Sequence, residues 1–275
     1  MEFGGVPLNY PLCMTCGTEY EAKEEPPATC AICSDDRQYV GWQGQRWTTM
    51  RALAKQYKIR FLKENGLLAL GLDPVFAIDQ RALLLPTDFG NILWECVSLV
   101  TDEAVAELKR YGGVACIAIS HPHFYSSMIE WSEALGGVPI FLHEADRQWV
   151  MRSSSHVVFW SGERHKFSNE VTLLRLGGHF EGSSGLHWKG GSFPKGALFP
   201  GDAIQVAMDR KHAAFMYSYP NAIPMKSTDV LALRARVSDL DYDTVFGFTW
   251  DRDIVGDAKS AVEQSFDRYF AAVDG

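Results

Sequence analysis

No uninterrupted apolar run in this chain approaches the roughly 20 residues that a bilayer-spanning helix needs, so a membrane span is not expected. Nothing at Met1-Glu2-Phe3-Gly4-Gly5 resembles a signal peptide, and the expected compartment is the reducing cytoplasm. Positive charge is also short. With 26 Lys and Arg against 34 Asp and Glu the net charge is −8, which argues against a general nucleic-acid binder, because phosphates call for a basic face. Arg147, Arg152, Arg164, Lys166, Arg210 and Lys211 could line a local anion-binding rim, although solvated faces explain such charges more often. What is present is 275 residues, 47% of them apolar, enough for one substantial domain plus a small module. Homo-oligomer formation is left open.

Cysteine is sparse, but four of the six are patterned: Cys13-Met14-Thr15-Cys16, then thirteen residues, then Cys30-Ala31-Ile32-Cys33. Each C-x-x-C knuckle sets two thiolates on one turn, so that two knuckles can surround one ion tetrahedrally. The spacing matches short zinc ribbons, and in a reducing compartment these thiols stay free for metal rather than forming disulfides. Cys16-Gly17-Thr18-Glu19-Tyr20 also resembles rubredoxin, where four cysteines hold redox iron, but Ser34 stands where that family has glycine. Structural zinc is the preferred reading. Cys96 and Cys116 lie in apolar runs and read as core residues.

The expected division is a zinc-ribbon module at 1–45 and a main domain at 46–275. Residues 21–28, with Pro26-Pro27, suit an exposed loop between the knuckles, and Trp42 and Trp47 in the linker at 35–47 are expected to pack the ribbon onto the main domain. Residues 49–64 read as a helix, followed by strands at 67–72, 75–78, 82–86 and 91–97. Thr101-Asp102-Glu103 caps a helix that ends near Gly112-Gly113. After a buried strand at 114–120, Ser127 and Glu130 fit a capping box for a helix stopped by Gly136-Gly137. Helices at 143–152, 227–240 and 256–273 complete the inventory.

His121-Pro122-His123 follows the strand-like run 114–120, His179 follows 171–176 and Gly177-Gly178, and Asp202 follows Leu198-Phe199-Pro200-Gly201. Each candidate ligand thus sits just past a strand, in a loop where backbone geometry can hold it and where chemistry is commoner than packing. His143 reads as a cap or outer support, His156, His165 and His212 as ordinary loop or surface histidines, and His187 as a pocket-lining candidate.

In this order and spacing the chain resembles the metallo-β-lactamase fold superfamily, whose pattern is H-x-H-x-D-H, a G-H-T-x-G-like segment, G-D and a late His. The resemblance covers roughly the last four fifths of the chain. His121 and His123, Gly178-His179-Phe180-Glu181-Gly182 and Gly201-Asp202 match; Tyr125 and Ser126 stand where the family has Asp and His, and Trp250 is expected to occupy the place of the late His.

The resemblance implies an α/β fold, a four-layer αββα sandwich, here preceded by the small ribbon. It also implies that the first metal set (His121, His123, His179) and the bridging carboxylate (Asp202) are kept, while the second metal's ligands are lost. The expectation is a mononuclear zinc hydrolase of an ester, thioester, lactone or amide, with Asp202 orienting or deprotonating the attacking water. Tyr125, at a helix start, is expected to face the metal as an oxyanion donor, and Glu181 to act as a base or to hold its loop. Iron in place of zinc, as in a persulfide-dioxygenase-like oxygenase, and a non-catalytic metal-binding protein are the alternatives.

Overall fold

A computed structural model of the chain describes residues 10–22 and 25–273. The reading of Met1 to Gly5 lies outside the described residues, as does part of the loop at 21–28. Two sheets face each other. The first has seven strands in the order Lys58–Glu64, Leu67–Asp73, Ala82–Thr87, Gly90–Trp94, Cys116–Ala118, Ile140–His143 and Val157–Trp160, antiparallel at first and parallel from Gly90–Trp94 onward. The second has six, in the order Arg164–Lys166, Val171–Arg175, Ser184–Trp188, Ala197–Phe199, Thr244–Phe246 and Asp253–Val255.

Strand alternation explains the layering. Leu67, Ala69, Leu83, Trp94 and Cys116 point between the sheets against Leu173, Leu186, Trp188, Phe199 and Phe246. Their neighbours Leu68, Leu70, Leu84, Leu93 and Ile117 point outward, against the helices Asp102–Arg110 and Met128–Ala134. On the far side Leu174, Leu198 and Val245 meet the helices Ser227–Val237 and Ala258–Val273. Both faces of each sheet are buried, which makes four layers, αββα. Cys96 and Cys116 are buried in these cores as expected. No helix among the described residues is long and apolar enough to cross a membrane.

Several local expectations give way to tertiary structure. Residues 49–64 hold only one helical turn, Met50–Leu53, before the strand Lys58–Glu64, whose side chains alternate in burial. The hairpin to Leu67–Asp73 turns on Asn65-Gly66, both at positive φ, a pairing that marks a two-residue hairpin loop. Residues 75–78 form a loop, not a strand, with Ala77 and Asp79 at positive φ. The capping box is absent. Ser127 Oγ donates instead to the Ser98 carbonyl and Glu130 pairs with Arg152, since buried partners outcompete the local bonds. Residues 143–152 hold a 3₁₀ stretch, Glu144–Trp149, capped by His143 Nδ1, which accepts the Ala145 N–H. Thr101 caps its helix as expected, Oγ1 accepting the Ala104 N–H at 3.1 Å.

The ribbon docks on this body. Leu12–Cys13 pairs with Trp47–Thr48. Trp47 packs edge-on against Tyr20 at 5.0 Å, while Trp42 is 97% exposed and does not pack the ribbon onto the body, because the turn at residues 41–44 lifts it into solvent. Gly17 has φ +79° and lies so close to Ser98 Oγ that no Cβ fits. Glu19 donates its N–H to Ser126 O and pairs its buried carboxylate with Arg152, which also binds Glu130.

Candidate metal centre

Two clusters gather potential ligands: Cys13, Cys16, Cys30 and Cys33 in the ribbon, and His121, His123, His179 and Asp202 in the body, all buried, with one ligand atom from each residue within 4.8 Å of the others in its group. In the ribbon, Cys13 Sγ to Cys33 Sγ and Cys16 Sγ to Cys30 Sγ are both 3.7 Å. Four sulfurs at about 2.3 Å from one tetrahedral zinc stand about 3.8 Å apart, so the cluster fits such an ion. Tyr20 Oη–H and Gln45 Nε2–H are aimed at Cys30 and Cys13 sulfurs at 3.2 and 3.3 Å, which suits thiolates.

The histidine site sits at the mouth between the two sheets. His121 and His123 leave the carboxyl end of Cys116–Ala118, His179 follows Val171–Arg175, and Asp202 follows Ala197–Phe199. Gly201 is at φ +62°, and a Cβ there would strike the Ser120 side chain, so glycine lets the two ligand loops close on each other.

Two of the three imidazoles, His179 and His121, are oriented by their other nitrogen. His179 Nδ1–H donates to the Met216 carbonyl at 3.0 Å, which leaves the Nε2 lone pair facing inward. His121 Nδ1 lies 2.7 Å from Ser120 Oγ, and the Ser120 N–H donates to the buried Glu95 side chain at 3.2 Å. His121 Nε2 is 3.2 Å from Asp202 Oδ2, His179 Nε2 is 3.8 Å from the same oxygen, and His179 Nε2 is 3.2 Å from His123 Nδ1. Lone pairs and a carboxylate oxygen held this close repel one another unless a proton or a cation lies between them. Ligand nitrogens at about 2.0–2.1 Å from a tetrahedral zinc stand about 3.3 Å apart, and the observed separations match.

Two further observations favour an ion over shared protons. His121 Nε2 and Asp202 Oδ1 are buried with no hydrogen-bond partner, an arrangement that is costly unless another group satisfies it. Burial and the neighbouring imidazoles push His179 down to about 4 and His123 well below the usual histidine range, so both are neutral and able to ligate at physiological pH.

Aromatic rings close the site. Phe124 lies 4.3 Å from the His121 ring, and Phe180 lies 4.9 Å from His123 and 5.3 Å from His179. Phe248 packs on Phe124 at 5.3 Å, whereas Trp250 lies over Gly71 with Arg60 stacked on it. In that loop Phe248 is thus one ring removed from His121, through Phe124, while Trp250 lies against the second strand of the first sheet.

Other expected residues lie elsewhere. Ser126 faces the ribbon seam, taking the Gln80 amide on Oγ at 2.7 Å. Tyr125 is buried in the outer core and lines a small cleft with Thr18, Glu19 and Arg152, and burial pushes its hydroxyl well above the usual tyrosine range. Glu181 is turned to solvent and paired with Arg175, so the structure does not bring it to the ligands: the strand partner captures it. His187 donates to the Asp241 carbonyl and is not among the grouped ligands. The basic rim does not assemble, since Arg152 is buried among carboxylates and Arg164 pairs with Asp239.

Three residues near the site escaped sequence reading. Glu95, buried at positive φ, supports Ser120 by accepting its N–H at 3.2 Å. Asp146 accepts the Gly182 N–H at 2.9 Å and keeps Oδ2 buried without a partner. Arg37 arrives from the ribbon and lies 4.1 Å over the Phe180 ring. An acid closing the apolar run 91–97 was the available signal for Glu95; the other two meet the site only through the fold.

No protein-family model matches the sequence. The chain is 38% identical over 270 residues to the uncharacterized protein YmaE of Bacillus subtilis (strain 168), an alignment covering 97% of this chain and 98% of YmaE. Solved structures with similar folds include metallo-β-lactamases. The FIM-1 enzyme of Pseudomonas aeruginosa in its mono-zinc form matches with a TM-score of 0.54 at 12% identity, covering 78% of this chain and 96% of that one. The enzyme of Hirschia baltica matches at 0.53 and 16%, covering 76% and 96%, and DIM-1 at 0.55 and 12%, covering 78% and 98%.

Proposed function

Since the chain belongs to the family of YmaE and has the metallo-β-lactamase fold, we propose that it is a hydrolase working with one zinc ion held by His121, His123, His179 and Asp202, on an ester, thioester, lactone or amide. The observation that carries the reading is the set of four buried donors turned on one another at 3.2 to 3.8 Å. A zinc ion bound there supplies a Lewis acid and brings the pKa of its water towards about 7. Asp202 Oδ1, buried and unpartnered, is placed to accept the proton of the attacking water. The Met216 carbonyl holds His179 in the ligating tautomer, and Ser120 Oγ positions the His121 ring through Nδ1. Phe124 and Phe180 keep bulk water from the reacting atoms.

Tyr125 and Ser126 stand at the motif positions from which a two-ion centre would draw further ligands, and both side chains are turned away to the outer core and the ribbon seam. Phosphodiester cleavage, which leans on two ions, is accordingly the less suitable chemistry. The ribbon zinc is proposed as structural, and the whole as a cytoplasmic enzyme with a small-molecule substrate.

Metal analysis with an activity panel tests the reading. The wild type should hold two zinc equivalents, and His123→Ala should hold one, in the ribbon, with unchanged folding and hydrolysis lost by at least about 10³-fold. Iron in the histidine site together with oxygen consumption would move the assignment to an oxygenase. Unfolding of the body by His123→Ala would sink the view that the site serves chemistry.

A further inference from the structure

The ribbon reaches the histidine site through the segment after its second knuckle. Tight turns tie that segment to the cysteines: Ser34 N–H donates to Cys30 O, Asp35 N–H to Ile32 O and Gln38 N–H to Asp35 O. Arg37 is braced by Asp35, with Nε to Oδ1 at 2.6 Å and Nη2 to Oδ2 at 3.0 Å. Its guanidinium lies over the Phe180 ring and donates from Nη1 to the His179 carbonyl at 3.4 Å.

The backbone of the same segment is gripped by the loop at residues 216–221. Ser218 Oγ–H donates to Arg37 O at 3.1 Å, and Asn221 Nδ2–H to Asp36 O and Gln38 O at 3.0 and 3.1 Å. That loop also orients the ligands: its Met216 carbonyl takes the His179 Nδ1–H, and its Tyr219 hydroxyl donates to Asp202 O at 3.0 Å. Within five residues of Cys33 the ribbon therefore holds both the backbone of His179 and the loop that aims His179 and Asp202.

We propose that metal binding in the four-cysteine ribbon sets the metal affinity of the histidine site, with Arg37 as the positioning residue that links them. The proposal rests on the reading that His121, His123, His179 and Asp202 hold a metal. Four thiolates without an ion repel, so loss of the ribbon metal releases the knuckle from which residues 35–38 are hung. The 216–221 loop then loses its anchor, and the histidine site must meet the ordering cost of His179 and Asp202 itself. Removing such outer support typically weakens metal binding about 10–100-fold.

Cobalt titration of metal-free protein reads the two sites separately. Cobalt among four thiolates gives intense charge-transfer absorption, and cobalt among imidazoles and a carboxylate gives only weak d–d bands. The variants are Cys33→Ser, Arg37→Ala and Arg37→Lys, with far-UV circular dichroism as the folding check. Arg37→Ala should leave the thiolate bands intact, lower cobalt affinity at the histidines about 10–100-fold and shift the d–d bands. Arg37→Lys should recover only part of the loss, since an ammonium neither stacks on Phe180 nor pairs bidentately with Asp35. Cys33→Ser should reproduce the histidine-site loss. Histidine-site affinity within twofold of wild type in Arg37→Ala would overturn the coupling. Cobalt bound by the wild type at the cysteines alone would instead overturn the metal reading of the histidine site, and the coupling with it.

Discussion

At the scale of single residues, the candidate metal centre is assembled by supporting hydrogen bonds and buried acids as much as by its four grouped donors. Glu95 is the sharpest case. Burial pushes its carboxyl up to about 8, and the hydrogen bonds from Ser120 only partly offset this. A carboxyl whose folded-state pKa lies above its unfolded value favours the fold below about pH 4.5, and that contribution is lost as pH rises towards 8, because the unfolded chain ionises first. In metal-free protein, Glu95→Gln should therefore gain stability relative to wild type between pH 5 and 8, on the order of a few kcal/mol, as read by urea denaturation at each pH. A difference independent of pH would mean that the Glu95 carboxyl ionises in the folded state much as it does in the unfolded chain. The ligands themselves were legible, since His121, His123, His179 and Asp202 each follow an apolar run. Their supports were not. A carboxylate such as Asp146 contributes through an amide 36 residues away, and no local pattern encodes that distance.

Among the elements, those with strong local signals formed where the sequence placed them, and those with weak ones were decided by partners. The helix after Thr101 and the helices near the C-terminus carry caps or long apolar spacing. Residues 58–64 alternate apolar with charged, but the same residues also read as one face of a helix, and the Asn65-Gly66 turn tips them into a hairpin. The helix after the H-x-H motif starts without its expected capping box because the ribbon and its neighbours claim Ser126, Ser127 and Glu130. Gly17 is the matching contact on the ribbon. Gly17→Ala demands positive φ of a residue with a Cβ and drives that Cβ into Ser98, so it should cost about 1–3 kcal/mol and lower the thermal midpoint. An unchanged midpoint would show that the seam yields without cost.

For the whole molecule, the sandwich core carries stability and the site lies on its rim. Leu186 is fully buried between the sheets, so Leu186→Ala should destabilise by about 2–5 kcal/mol. Trp42→Ala, at a ring 97% exposed, should stay within about 0.5 kcal/mol of wild type, both measured by chemical denaturation. A large loss from the tryptophan change would mean that the ribbon loop is covered in solution. The two sheets each bring half of the ligand set: His121 and His123 follow a strand of the first, and His179 and Asp202 follow strands of the second. Packing of the sheets and assembly of the site are thus one event.

The sequence by itself determined the two groups of candidate ligands and their spacing, and through its resemblance to a known superfamily the class of fold, because C-x-x-C knuckles and histidines placed just past apolar runs are local patterns that survive without coordinates. Only the tertiary structure decided that Trp250 lies over Gly71, that Glu181 turns to solvent, and that Arg37 and residues 216–221 join the ribbon to His179 and Asp202. The reason is physical. These relations depend on which backbone carbonyls, rings and charges meet across more than a hundred residues of chain, as Arg37 meets His179, and burial rather than sequence separation sets the strength of such contacts.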